Sequence, residues 1–80
     1  MEAFREDGFR FIFYSNDHDP SHVHVKKRGG GEVIIYLGSE TEPPTIRENR
    51  RMSERDAMKV IKICYERQEE LLKIWEKVHG

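Results

Sequence analysis

The sequence predicts an α+β domain, a small antiparallel sheet of three to four strands covered on one face by a long C-terminal helix. Phenylalanine recurs at every second position of Phe9-Arg10-Phe11-Ile12-Phe13, and His22-Val23-His24-Val25 alternates polar with apolar; both have the period of a strand. Gly29-Gly30-Gly31 lies between two such segments and supplies the positive φ angles of a tight connection. From Ala57 to Val78 apolar residues return at spacings of three and four, the period of an amphipathic helix.

In chain order, Met1 to Asp7 read as an ordinary start without tag or transit signal. A first strand is expected over about 9–15, with Phe9, Phe11 and Phe13 on its core face. Asn16 to Ser21 form a loop, because Pro20 biases Asp19 toward extended or turn backbone. The second strand, 22–28, turns Val23 and Val25 one way and His22, His24 and Lys26 the other. The third, 32–37, closes a hairpin with it across the glycines. Residues 38–52 read as a polar loop, since Pro43-Pro44 cannot occupy a central strand, and Thr45 to Asn49 is the one place for a fourth, edge strand. Ser53 is the N-cap of a helix over about 54–78, with Asp56 three residues on. Its stripe contains Ala57, Val60, Ile61, Cys64, Leu71, Leu72, Trp75 and Val78, and Gln68 is the one polar interruption. Ile63 and Ile74 widen the stripe on one flank.

A chain of 80 residues forms one domain, and one of this size buries only about 60–65% of its unfolded surface, which favours a protein partner or a homodimer. The net charge of -1 excludes a global attraction to nucleic acid or membrane. A local basic surface is available to nucleic acid through Arg51, Arg55, Lys59 and Lys62 at helical spacing, and through Lys26-Lys27-Arg28. No apolar run is long enough for a membrane. The single cysteine, Cys64, excludes an internal disulfide and a cysteine-based zinc site, and reads as an inert core thiol. With no leader in view, the expected setting is cytoplasmic.

The densest chemistry lies between Asn16 and Lys26, where His18, His22 and His24 fall together with Asp17 and Asp19. One reading is a metal site in which His18, His22 and His24 hold a divalent ion such as zinc with a position left open, and Asp17 or Asp19 is a ligand or orients a histidine. A second makes His22 and His24 the acid–base pair of a metal-free RNA-cleaving toxin, with Lys26 or Arg10 stabilising developing phosphate charge. In a third the domain works through a partner protein, with the His18, His22 and His24 cluster as its functional surface; in a fourth the imidazoles only fix the loop. His79, in the last helical turn, reads as a surface residue favoured by the helix dipole.

The run His18-Asp19-Pro20-Ser21-His22-Val23-His24-Val25 resembles the hallmark of a bacterial family catalogued as domain of unknown function 4160, whose members share a His-x-Pro-Pro-His-x-His-Val core. Gly8-Phe9-Arg10, the turn at Gly29 to Gly31, Glu70-Leu71 and Trp75 are similar to its other shared features, so the likeness spans almost the whole chain. Ser21 stands where the family usually has a second proline, and Glu40 to Arg50 is longer and more polar than its pattern. The resemblance implies a component of a toxin–antitoxin-like gene pair and carries no mechanism with it.

Overall fold

Five strands form a single antiparallel meander, β1 (Glu2–Glu6), β2 (Phe9–Ile12), β3 (His22–Lys27), β4 (Glu32–Tyr36) and β5 (Thr45–Arg50), paired in chain order. Two helices follow, α1 (Glu54–Glu66) and α2 (Gln68–His79). The computed structural model describes residues 1–80. Phe9, Phe11, Phe13, Val23, Val25, Val33, Ile35 and Leu37 face the helices and pack in one cluster with Ala57, Val60, Ile63, Cys64, Leu71 and Trp75. No helix is long and apolar enough to cross a membrane.

The architecture departs from the sequence expectation at both sheet edges and in the helix. The sheet has five strands where three to four are expected. Met1 to Asp7 is more than a lead-in, because Asp7 and Gly8, at φ 53° and 83°, form a tight turn that pairs β1 with β2. Two successive positive φ angles at an Asp-Gly pair are what a two-residue hairpin with the natural strand twist requires. β2 stops at Ile12 rather than continuing to Ser15.

Within the expected loop 38–52, Thr45–Arg50 is a full edge strand on β4. Pro43 and Pro44 stand just before it, where their missing N–H groups interrupt no ladder. A register shift opposite Ile34/Ile35 leaves Arg47 as an extra residue, its guanidinium 5.8 Å from the Tyr36 ring centre. Such a bulge, with charged side chains, blunts an exposed edge. Gly38 enters this connection at φ +73°, where a Cβ would lie 2.3 Å from the Glu42 carbonyl oxygen. No other residue type fits there.

Ser53 caps α1 as its sequence suggests, its Oγ accepting from the Asp56 N–H at 3.1 Å. The expected single helix over 54–78 is two, divided at Arg67 (φ -114°, ψ 22°) without a glycine or proline. Tertiary anchors account for the break. The Arg67 guanidinium lies 3.4 Å from the centre of the Phe4 ring and pairs with Glu6 at 2.9 Å and Glu70 at 2.7 Å. Gln68 Nε2 donates to the carbonyls of Leu37 and Glu42, both at 2.8 Å. The polar interruption in the stripe is therefore a tie between the helix junction and the end of β4. Ile63, expected on a flank, is in the core.

Replacing Gln68 with Ala leaves two carbonyls without their donor, which costs about 1–3 kcal/mol. Urea unfolding is expected to show a lower midpoint at unchanged slope; an unchanged midpoint would show that the tie contributes nothing.

Candidate metal centre

The alternation of β3 decides which side chains meet. Val23 and Val25 enter the core, so His22, His24 and Lys26 point to the opposite face. There His24 lies between Ile12 on β2 and Ile34 on β4, which are only 6% and 3% exposed although they face away from the helices. The segment after β2 folds back over this row. The Asp17 N–H donates to the Tyr14 carbonyl at 3.1 Å and the Tyr14 N–H to Asp17 Oδ2 at 3.3 Å, and this local turn aims the carboxylate at β3.

Asp17 meets both strand histidines. His24 Nε2 lies 3.2 Å from Oδ2 and 3.3 Å from Oδ1, and His22 Nε2 lies 3.4 Å from Oδ1. The other nitrogen of each ring is also engaged. His22 Nδ1 donates to the Pro20 carbonyl at 2.8 Å, and His24 Nδ1 faces Glu32 Oε2 at 3.0 Å. A carbonyl only accepts, so the His22 proton sits on Nδ1 and a neutral ring turns its Nε2 lone pair toward Asp17. His24 has a carboxylate at each nitrogen, Glu32 at Nδ1 and Asp17 at Nε2, and a proton on Nδ1 turns its Nε2 lone pair toward Asp17 as well. Both Nε2 atoms therefore converge on one carboxylate. Burial pushes the Asp17 carboxyl up, but His24 and His22 in their protonated forms and the Tyr14 N–H together hold it below the usual carboxylate range.

The rings are held in place by an aromatic chain. The His22 ring centre is 5.1 Å from that of Trp75, which stacks on His79 at 3.7 Å, and Tyr14 meets the edge of His24 at 4.8 Å. His79 is half-buried, unlike the surface residue the sequence suggests, with Nδ1 and Nε2 each 3.0 Å from a carbonyl, those of Trp75 and Tyr14. The last turn of α2 thereby clamps the loop that carries Asp17.

His22, His24 and Asp17 are the donors the fold gathers, their ligand atoms all within 4.8 Å of one another. His18 and Asp19 are exposed on the loop and lie outside this group; with Asp17, His22 and Arg47 they line a cleft of ≈ 220 Å³. Lys26 stands on the same face but extends over the Tyr14 ring, 5.9 Å from its centre. Arg51, Arg55, Lys59 and Lys62 are exposed. Cys64 is buried among apolar groups, and desolvation pushes its thiol up to about 12, an inert core thiol. The sequence reading missed Glu32, Trp75 and His79 as neighbours of the site. Glu32 was accessible, since a hairpin around the glycine turn sets Lys26 opposite Glu32 and leaves His24 on the diagonal.

In long-range proton–nitrogen correlation spectra of metal-free protein, at a pH where the rings are neutral, His22 is expected as the Nδ1–H tautomer. A proton on Nε2 would contradict the geometry described.

The profile of a family described as Domain of unknown function (DUF4160) matches residues 8–76. No curated protein and no solved structure matches the chain.

Proposed function

Because the chain belongs to the DUF4160 family, whose description assigns no activity, we propose from the site itself that Asp17, His22 and His24 bind one divalent transition-metal ion. The observation that carries this is the convergence of both Nε2 atoms on Asp17 while both Nδ1 atoms are held by acceptors. Ligating histidines use one nitrogen for the ion and give the other N–H to a carbonyl or carboxylate. Here Pro20 and Glu32 fill those two roles.

The separations fit as well. Bonds of about 2.0–2.1 Å in a tetrahedral zinc site place neighbouring ligand atoms roughly 3.3–3.4 Å apart. From the single oxygen Oδ1, His24 Nε2 lies 3.3 Å away and His22 Nε2 3.4 Å, already that spacing, and the three donors' ligand atoms lie within 4.8 Å of one another. Two imidazoles and a carboxylate suit zinc, iron, nickel or copper, and three protein donors leave a tetrahedral ion one further position. Such an ion polarises a bound water or carbonyl, which is the chemistry available to this site. In this reading the third ligand is Asp17, and His18 remains at the cleft rim. A place beside a partner protein in a toxin–antitoxin-like pair, as the family resemblance implies, is compatible with this site and rests on that resemblance alone.

Zinc, nickel or cobalt at one hundred times Kd stabilises the folded chain by about 2.7 kcal/mol. For a domain of this size that raises Tm by roughly 10–20 °C. Trp75 is the only tryptophan and lies against His22, so copper is expected to quench its fluorescence at one equivalent. Both responses should vanish in Asp17→Asn and His24→Ala and persist in His18→Ala. Melting curves that stay flat across all four metals would overturn the proposal.

A further inference from the structure

We propose that the cationic cleft on the sheet face turned away from the helices binds the phosphate backbone of a nucleic-acid strand, and does so whether or not an ion occupies the neighbouring His/Asp site. The register sets Arg5, Arg10, Lys26, Glu32 and Arg50 in one row across all five strands. With strands about 4.8 Å apart, that row spans roughly 19 Å. Together with Lys27 and Arg28 these residues line a cleft of ≈ 800 Å³. Six of the chain's 14 lysines and arginines line it with Glu32, and although Glu2, Glu48 and Asp56 pair with four of them from beside it, cations outnumber these acids and the chain's positive charge is concentrated here.

That field is available to a ligand. Lys26 and Arg28 form no ion pair, and the one acid, Glu32, is engaged with His24. Arg5 and Arg10 share Glu2, each at 2.7 Å, Arg50 pairs with Glu48 and Lys27 with Asp56. Exposed pairs of this kind are weak, and a phosphate oxygen can exchange with the carboxylate on the guanidinium. At Gly29 and Gly30 no atom lies within 4 Å of where a Cβ would sit, so a phosphate can approach the backbone of the turn.

The class of ligand follows from what the cleft lacks. Its lining contains no apolar side chain. A protein interface needs apolar or aromatic anchors at its centre and a membrane-seeking surface needs groups to insert, whereas phosphates need only cations and N–H donors. With no aromatic ring in the lining for a base to stack on, binding is carried by the backbone and is indifferent to sequence. The cleft is distinct from the helical set Arg51, Arg55, Lys59 and Lys62. It also adjoins the His/Asp site, since Lys26 and His24 are successive residues on one strand face, roughly 7 Å apart.

The test is fluorescence anisotropy of a labelled single-stranded RNA dodecamer against the full chain across a salt series, with EDTA present. The double variant Lys26→Gln/Arg28→Gln disrupts no ion pair, so its Tm should equal that of the parent. It is expected to bind at least tenfold more weakly, with a salt slope shallower by about 1.4 for two lost single-strand phosphate contacts. The triple variant Arg55→Gln/Lys59→Gln/Lys62→Gln should bind as the parent does. The proposal is overturned by absence of binding at about 50 mM salt, where phosphate contacts are strongest. It is equally overturned by undiminished affinity in the double variant, by loss in the helical variant instead, or by tighter binding to anionic phospholipid vesicles than to RNA. Persistence of binding in EDTA separates this outcome from the fate of the metal reading.

Discussion

Strand β3 is hydrogen-bonded on both sides, to β2 and to β4, and its pleat fixes at one stroke what enters the core and what forms the site. Val23 and Val25 are fully buried on one face, while His22 and His24 project from the other. A slip of one residue would drive both imidazoles into an apolar core and present valines to Asp17. The cost of burying polar rings without partners makes the observed register the only tenable one. The hydrophobic core therefore does more than stabilise the chain. By holding the valines, it aims the two Nε2 atoms.

The carboxylate arrives by a less rigid route, and the far end of the chain secures it. The loop between β2 and β3 carries Asp17 through its turn with Tyr14, whose carbonyl faces His79 on the last turn of α2. Trp75, one turn earlier, lies against both His79 and His22. These contacts require α2 to begin in the right place. Gln68 and Arg67 tie its start to the end of β4 and to β1. Residues far apart in sequence thus converge on one loop, and the break between the helices is part of how the site is held.

The sequence made some of this legible and not the rest, for physical reasons. The β3–β4 hairpin and the core faces could be read because one side of each strand is buried, which imposes alternation. β5 has no such pattern because all six of its residues are exposed. β1 was signalled only by Asp7-Gly8, a two-residue cue without a strong periodic segment before it. The break at Arg67 has no local cause, since its anchors lie on β1 and after β4. In the site, the strand spacing places His22 and His24 together, but which loop residue joins them depends on the path of the backbone. Asp17 turns inward through its bonds with Tyr14, while its neighbour His18 faces solvent.

Glu32 is where the two features of this sheet face meet. It receives the Nδ1 side of His24 and is also the one acid in the cationic cleft. Facing the imidazole, it orients the His24 ring and makes no ion pair with Lys26, the cation opposite it across the strand pair. A divalent ion at Asp17, His22 and His24 would bring more positive charge than the single carboxylate removes, which extends the positive potential of the cleft into the site. An anion bound in the cleft would in turn favour the ion, since such coupling between two sites is reciprocal. An ion at the proposed site and an anion in the proposed cleft would therefore favour one another, with Glu32 the residue that borders both.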